Sequence, residues 1–264
     1  MGTYAAVVLA GGAARRMGGL DKPALPVGGR PMRDRVLAAV SDATPRVLVG
    51  AADAVPAGVR VVREDPPGGG PVAAAAAGLA LLDPDVSVVA LLAADLPLLT
   101  RAAIGDLLKH LEPETPDTEP AGGRSALAPP DRSGSALAPP DRSGSAPAPP
   151  DRGGSAPAPP DRGGSAPAPP ARVGLGGERE PDGACFVDGD GRRQSLCGVW
   201  RVAALRAAVH RLTVERGGSL SGAPVRALLA DLVVREVAWS GEGPPPWFDC
   251  DTDEDVRRAE EWAR

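Results

Sequence analysis

The chain has 264 residues, 43% hydrophobic and only 3% aromatic residues, and a net charge of −5 at pH 7. This length and apolar content allow one or two domains with a substantial core. An acidic chain with so few aromatic side chains does not fit a general nucleic-acid binder or a protein that docks on anionic membranes. We therefore expect no nucleic-acid and no membrane partner.

The residue types also argue against several other classes. No signal-peptide pattern opens the chain, and no apolar run approaches the roughly 20 residues of a membrane span. The three cysteines, Cys185, Cys197 and Cys250, form no C-x-x-C pair, so a disulfide framework or a zinc knuckle is not expected. These features predict a cytoplasmic protein.

The first 112 residues alternate strand and helix signals. The pattern predicts strands at 4–9, 46–51, 59–62 and 86–94, and helices at 31–43, 71–82 and 101–111. The run VSVVALLAA at 86–94 is the longest apolar stretch, and it is typical of a central strand of a parallel sheet.

Residues 113–180 have a different composition. Five copies of a ten-residue repeat begin at Ser125, with the sequences SALAPPDRSG (twice), SAPAPPDRGG (twice) and SAPAPPARVG. Solenoid repeats usually have about 20 or more residues and an apolar face to stack, and these copies have almost no large apolar side chain. We predict a disordered, partly polyproline-like insertion. A Pro-rich ligand for a partner domain is the alternative.

The remainder of the chain predicts an added hairpin and a last group of helices. ACFVD at 184–188 and QSLCGVWRV at 194–202 predict a β-hairpin across the turn DGDG. Helices at 203–214, 221–231 and 252–263 and a strand at 233–239 complete the chain. The whole pattern predicts a three-layer α/β fold with a mainly parallel sheet and an added β-hairpin, in one domain of residues 1–264 that the insertion at 113–180 interrupts.

Three loops follow predicted strands, and the first is rich in glycine and positive charge. It reads LAGGAARRMGGLDK at 9–22. Glycines let a ligand approach the backbone, whose successive N–H groups can bind an anion. Arg15, Arg16 and Lys22 can neutralise the phosphates of a nucleoside triphosphate. The segment is neither a P-loop nor a G-x-G-x-x-G motif, and a flexible surface loop with solvated charges is the alternative.

The other two loops each carry a carboxylate. Asp65, in REDPPGGGP at 63–71, is placed to bond ribose hydroxyls or base N–H groups, unless the segment is only a turn. Asp95 ends the apolar strand in AADLP, where it can hold Mg²⁺ or cap the following segment. Since ligands of such sheets lie outside the carboxyl ends of the strands, we expect the three loops to converge.

A fourth segment, WFDCDTDEDVRRAEE, precedes and begins the last helix. Thr252 with Asp255 three residues later predicts a capping box. Asp249 and Asp251 alternate along the extended stretch before it, and either one can join a metal held by Asp95. Asp251 is the metal ligand that we predict beside Asp95.

Together these residues resemble a family. A strand followed by LAGG-x-x-RRMGG-x-DK, then a D-x-x-G-G-P turn and a strand ending in D-x-P, is similar to the bacterial molybdenum-cofactor guanylyltransferases. The resemblance covers 1–112 well and 184–264 loosely. It implies the Rossmann-like nucleotidyltransferase fold, with three α/β/α layers, and the transfer of GMP from GTP to molybdenum-molybdopterin.

The resemblance also implies site residues, a cofactor and partners. The GTP-binding residues would be Leu9, Ala10, Gly11, Gly12, Lys22, Asp65 and Asp95. Here the backbone of Leu9 to Gly11 reads guanine, Lys22 contacts the triphosphate and Asp65 binds the guanosine. Arg16, Lys22 and Asp95 would be the catalytic residues, and Asp95 and Asp251 would bind the cofactor Mg²⁺. The expected partners are GTP and molybdenum-molybdopterin, with molybdenum-insertion and apoenzyme-chaperone proteins as further candidates.

Some positions depart from the family pattern. Gly50 stands where an asparagine is common, and Asp249-Cys250-Asp251 replaces the usual N-x-N. The strand segment RRQSLCG lacks a common proline. The alternatives are therefore a transferase that uses CTP or another small phosphate acceptor, and a non-catalytic relative that delivers the cofactor.

Overall fold

The computed structural model describes residues 3–11, 22–52, 54–112 and 179–264. In chain order, the strands are β1 (Ala5–Leu9), β2 (Pro26–Val27), β3 (Arg30–Pro31), β4 (Arg46–Val49), β5 (Val59–Val62), β6 (Val88–Ala93), β7 (Gly183–Val187), β8 (Arg193–Arg201) and β9 (Val234–Ala238). The helices are α1 (Met32–Ala39), α2 (Pro71–Ala80), α3 (Arg101–Lys109), α4 (Val202–Glu215), α5 (Val225–Leu228) and α6 (Asp253–Trp262).

Seven of these strands form one sheet in the order β5-β4-β1-β6-β8-β7-β9. The strands β5, β4, β1 and β6 run parallel to one another, as continuous apolar runs such as that of β6 predict. Strand β8 runs antiparallel to both β6 and β7, while β7 and β9 are parallel. The sheet is therefore mixed and mainly parallel, as the sequence predicts.

Helices cover both faces of the sheet and complete the three layers. On one face, Val36 and Leu37 of α1 and Ile104 of α3 pack in a buried cluster with the strands. On the other face, Leu79 of α2 and Leu205 of α4 belong to a second cluster. The sheet is therefore buried from both sides, which leaves its edges and strand ends for binding.

The chain divides into two units. One comprises Met1–Thr115 and Glu178–Arg264, and the other, Pro116–Gly177, lies outside the described residues. The predicted disorder of 113–180 therefore stays a prediction. Strands from both sides of that stretch meet in the sheet, where Leu92 of β6 pairs with Cys197 of β8.

One arginine joins the two ends of this stretch. Arg201, the last residue of β8, donates from Nη2 to the carbonyl of Leu111 at 3.2 Å and to Oε2 of Glu180 at 3.0 Å. Its Nε donates to the carbonyl of Pro181 at 3.0 Å. The chain just after α3, at Leu111, and the chain just before β7, at Glu180, therefore lie beside the same guanidinium group.

Most predicted elements are present, and the differences have local causes. The hairpin of β7 and β8 is confirmed, and Asp188 and Gly191 bond across its turn. The helix predicted at 221–231 is wrong in length, because α5 begins only after Pro224, which can precede a helix but not continue one. The small hairpin of β2 and β3 was not predicted; Gly28 and Gly29 form its turn with φ angles of 59° and 74°. No helix in the described ranges is long and apolar enough to span a membrane.

Candidate active site

The ends of β1 and β6 lie side by side at one edge of the sheet. Leu9 pairs with Ala93, and the N–H of Ala94 donates to the carbonyl of Leu9 at 3.0 Å. This register brings the backbone of Ala10 and Gly11 next to the segment that carries Asp95. The predicted convergence of the first and third loops is present as far as the structure describes them. Gly12 and Arg16 lie outside the described residues.

Lys22 lies between two carboxylates that come from distant parts of the chain. Its Nζ is 2.7 Å from Oδ2 of Asp95 and 2.7 Å from Oδ1 of Asp251. The side chains of Lys22 and Asp95 are 19% and 24% exposed, whereas Asp251 is 61% exposed. The ammonium group of Lys22 is therefore half-buried between two carboxylates, and the site is open to solvent on the side of Asp251.

A backbone hydrogen bond and a helix cap hold Asp251 in this place. The N–H of Cys250 donates to the carbonyl of Asp95 at 3.3 Å, which fixes the C-terminal segment against the end of β6. The predicted capping box at the start of α6 is confirmed, with Thr252 and Asp255 bonding each other's backbone. The chain direction on both sides of Asp251 is thus set by bonds that do not use its own carboxylate.

The charges of the site shift two pKa values. Burial lowers the pKa of Lys22, but the hydrogen bonds and charges of Asp251 and Asp95 outweigh it and raise this pKa above its ordinary value. Lys22 therefore remains charged at neutral pH. The pKa of Asp249 is raised by partial burial and by the charges of Asp251 and Asp95. Among the described residues, Lys22 is therefore the cation that Asp95 and Asp251 share, with the carboxylate of Asp249 near them.

The two carboxylates fit a Mg²⁺ ion whose remaining ligands are oxygens of a substrate and of water. Two carboxylates that approach one cationic atom within 2.7 Å can also share a metal ion, and carboxylate oxygens suit Mg²⁺. In the described parts of the chain, no group of three or more His, Cys, Asp or Glu side chains is placed to hold a metal. Such a site fits Mg²⁺ as a metal that takes one or two carboxylates and completes its shell with phosphate oxygens and water.

Gly50 stands at the end of β4 against the first loop. Its φ is 144°, and a Cβ added there would lie 3.0 Å from the carbonyl carbon of Ala10. Its N–H also donates to the carbonyl of Val62 at 2.8 Å. No side chain fits here without moving the backbone of Ala10, so the departure from the family's asparagine follows from close packing of two strand ends.

Asp65 lies apart from the lysine site. It is exposed and lines a pocket of about 350 Å³ with Ala73 of α2 and with Thr213 and Leu220 near the end of α4. None of Lys22, Asp95 and Asp251 is among the described residues that line this pocket. Among the described residues, Asp65 therefore lines a different surface from Lys22, Asp95 and Asp251.

The neighbouring acid, Glu64, was missed by the sequence reasoning. It is buried, and its Oε1 accepts a hydrogen bond from the N–H of Gly68 at 3.0 Å. A Cβ added to Gly11 would lie 3.4 Å from the same oxygen, so the carboxylate faces the first loop. The sequence gives only a weak signal for this, because successive side chains of an extended segment point to opposite sides and the letters do not say which side is inward.

The glycine-rich end of β1 and the lysine between two aspartates lie at one edge of an α/β sheet, where ligands of such folds bind. Residues 6–134 match the family of the MobA-like NTP transferase domain. This part of the chain is therefore similar to nucleotidyltransferases of the MobA-like type. No curated protein matches the chain.

Several solved structures have a similar fold. Molybdopterin-guanine dinucleotide biosynthesis protein A from Archaeoglobus fulgidus is 15% identical and has a TM-score of 0.55, with 97% of this chain and 96% of that chain covered. The 2-C-methyl-D-erythritol 4-phosphate cytidylyltransferase from Thermus thermophilus is also 15% identical with a TM-score of 0.55, and 99% of both chains is covered. A 4-diphosphocytidyl-2C-methyl-D-erythritol synthase from Anaerococcus prevotii is 12% identical, with a TM-score of 0.54 and coverage of 99% and 98%. At these identities the likeness shows the fold.

Proposed function

We propose that the protein transfers GMP from GTP to molybdenum-molybdopterin, which forms a guanine dinucleotide cofactor and releases pyrophosphate. The observation that carries nucleotidyl transfer is the ammonium of Lys22 within 2.7 Å of both Asp95 and Asp251, beside the bare backbone that ends β1. The order of the motif letters, LAGG before RRMGG-x-DK, supports GTP as the nucleotide. The likeness to the Archaeoglobus fulgidus protein supports the acceptor.

The reaction is a displacement at phosphorus. An oxygen of the acceptor's terminal phosphate attacks the α-phosphorus of GTP and forms a new O–P bond. The bond between the α-phosphorus and the oxygen that bridges to the β-phosphate breaks, and pyrophosphate leaves with the electron pair. No covalent enzyme intermediate is required, so the protein acts by aligning the reactants and neutralising charge.

Each described residue of the site has a part in this reaction. Asp95 and Asp251 would hold Mg²⁺, which neutralises triphosphate charge when bound. Lys22 is placed to donate to a phosphate oxygen, and its raised pKa keeps the proton available for that bond. The backbone from Leu9 to Gly11 would contact the base, and Arg16 would add a second positive charge at the phosphates.

Transfer of CMP is the second candidate. Two structures named for cytidylyl chemistry match the chain with TM-scores of 0.55 and 0.54, against 0.55 for the Archaeoglobus fulgidus protein. The overall fold therefore does not distinguish the two nucleotides, and the choice depends on the groups that surround the base.

A nucleotide-selectivity assay tests the proposal. The full chain is incubated with Mg²⁺, molybdenum-molybdopterin and either GTP or CTP, and pyrophosphate release and dinucleotide formation are measured. We expect turnover with GTP and at least about tenfold lower kcat/KM with CTP, since a polar base site rejects a base that leaves its groups unpaired. Preference for CTP would replace the guanylyl assignment, and no turnover with either nucleotide would remove the enzymatic one.

A further inference from the structure

Glu64 is a charged side chain in an unusual environment. It is 8% exposed, and among the described residues only Arg33 is another charged residue that is similarly buried. Burying a carboxylate is costly unless hydrogen bonds replace the lost water. The hydrogen bonds that Glu64 accepts within the protein therefore show whether its carboxylate can still accept a hydrogen bond from a ligand.

Among the described residues, one of the two oxygens of Glu64 has a hydrogen-bond partner. Oε1 accepts from the N–H of Gly68 at 3.0 Å, while Oε2 accepts no hydrogen bond from any described residue. The carboxylate of Glu64 also forms no ion pair with any described residue. Half of the carboxylate's accepting capacity is thus left for a ligand.

The carboxylate faces a surface of bare backbone at the edge where β1 ends. A Cβ on Gly11 would lie 3.4 Å from Oε1 and 3.7 Å from Oε2 of Glu64. Gly11 itself is exposed. Because Gly11 has no side chain, a flat group that lies on its backbone can reach the oxygens of Glu64.

We propose that Glu64 is the residue that selects guanine, by accepting hydrogen bonds from the N1–H and the exocyclic amino group of the base. Guanine presents these two donors on one edge, and a carboxylate can accept both. Cytosine presents one amino donor beside the N3 acceptor, and adenine presents one amino donor beside the N1 acceptor, so each would place a lone pair against the negative charge. This role rests on the proposed use of GTP and adds a residue to that site.

A purely structural role for Glu64 makes a different prediction. If the carboxylate served only to hold the Gly68 turn, Glu64→Gln would retain that role, because the amide oxygen can still accept from the Gly68 N–H. The substitution replaces the other oxygen by a donor of the same size, which would face the donors of guanine. The two roles therefore differ in how the variant treats different bases.

The experiment measures binding of three nucleotides to the full chain by calorimetry in the presence of Mg²⁺. Inosine triphosphate lacks the 2-amino group of GTP, and CTP carries the competing base. We expect the wild-type protein to bind GTP about tenfold more tightly than inosine triphosphate, which is the effect of one buried hydrogen bond. In Glu64→Gln this ratio should fall to about one, with GTP binding weakened about 100-fold.

The matched control is Glu261→Gln, since Glu261 is exposed on α6. It should keep the wild-type ratio of GTP to inosine triphosphate. Glu64→Asp keeps the charge and draws it back by one methylene, so it should also lose the discrimination; it serves as the second variant if Glu64→Gln does not fold.

The outcomes separate this role from the function it rests on. If the wild-type protein prefers GTP to CTP but Glu64→Gln weakens GTP and inosine triphosphate equally, the selecting role is wrong and the guanylyl function stands. If the wild-type protein does not distinguish GTP from inosine triphosphate, the selecting role is also wrong. If the wild-type protein prefers CTP, the proposed function and this role both fail.

Discussion

Nζ of Lys22 lies 2.7 Å from Oδ2 of Asp95, although the two residues are 73 positions apart in the chain. The glycine-rich loop that follows β1 ends at this lysine, and Asp95 follows β6, the strand beside β1. The pair therefore connects the loop that would grip the triphosphate to the carboxylate that would hold the metal. A second carboxylate at the same distance, that of Asp251, makes the ammonium a shared counter-ion.

Removal of this ammonium should affect catalysis more than stability. We expect Lys22→Ala to lower kcat/KM with GTP about 10²-fold or more, because the variant loses a positive charge aimed at the triphosphate. The thermal midpoint should change little, since a partly exposed ion pair contributes only about 0–1 kcal/mol. Lys109→Ala is the control, because Lys109 is exposed and pairs with Asp106 on α3. Full turnover in Lys22→Ala would exclude the proposed role.

Loss of one carboxylate should weaken the metal site. Asp95→Asn keeps the size of the side chain and removes its charge, so the Mg²⁺ concentration for half-maximal turnover should rise about tenfold or more. Asp251→Asn should have a smaller effect in the same direction, because Asp251 is more exposed. A titration of pyrophosphate release with Mg²⁺ measures both. Asp106→Asn, on the surface of α3, should leave the titration unchanged, and an unchanged curve for Asp95→Asn would remove it from the metal site.

The contact between Gly50 and Ala10 should make position 50 intolerant of side chains. Gly50→Ala places a Cβ 3.0 Å from a backbone atom at a φ of 144°, and we expect it to lower the free energy of unfolding by about 1–3 kcal/mol. Gly105→Ala is the control, and it should change the free energy of unfolding in the opposite direction. Gly105 lies inside α3 and a Cβ there meets nothing within 4 Å, so alanine should stabilise the helix by roughly 0.5–1 kcal/mol. Urea unfolding compares the two, and equal stability of both variants would contradict the packing argument.

The hydrogen bond between Tyr4 and Asp42 should make stability depend on alkaline pH. The hydroxyl donates to Oδ1 at 2.8 Å, and burial, this bond and the charge of Asp42 raise the pKa of Tyr4 above its ordinary 10.0. A raised pKa means that the folded state holds the proton more tightly than the unfolded state. The resulting stability is complete below pH 10 and is lost as the pH rises through the folded-state pKa.

The variant Tyr4→Phe tests this dependence. It should cost about 1 kcal/mol of unfolding free energy at pH 7, since the hydroxyl bond is lost. The gap to the wild-type protein should narrow above pH 10, which chemical denaturation at several pH values measures. A gap that stays constant to pH 11 would show that the folded state does not retain the phenolic proton.

Deletion of residues 117–175 should leave both the thermal midpoint and turnover nearly unchanged. The repeats contain almost no large apolar side chain that could add to a core. Arg201 contacts Leu111 and Glu180, so the described residues on the two sides of the deletion lie close together. Calorimetry and the pyrophosphate assay check the deletion. A large fall of the thermal midpoint would show that the repeats belong to the folded core.

The sequence predicts the elements of this fold better than it predicts which side chains face the site. The apolar run of β6 and the cap of Thr252 with Asp255 are local signals, because chain neighbours decide them, and both are confirmed. The inward side of the pair Glu64 and Asp65 depends instead on contact with Gly11, far away in the chain. Nothing in a short window of sequence carries that contact, so sequence reasoning named Asp65 and missed Glu64.

Because of the contacts of Arg201, the stability of the sheet should depend little on the length of the chain between Leu111 and Glu180. Because Arg201 holds Leu111 and Glu180 beside each other, the stretch of chain between these two residues begins and ends at neighbouring points. The entropic cost of such a loop grows only with the logarithm of its length, about 0.6 kcal/mol for each doubling. A gain or loss of one decapeptide copy should therefore change the free energy of unfolding only slightly. Selection for stability should then act only weakly on the number of copies.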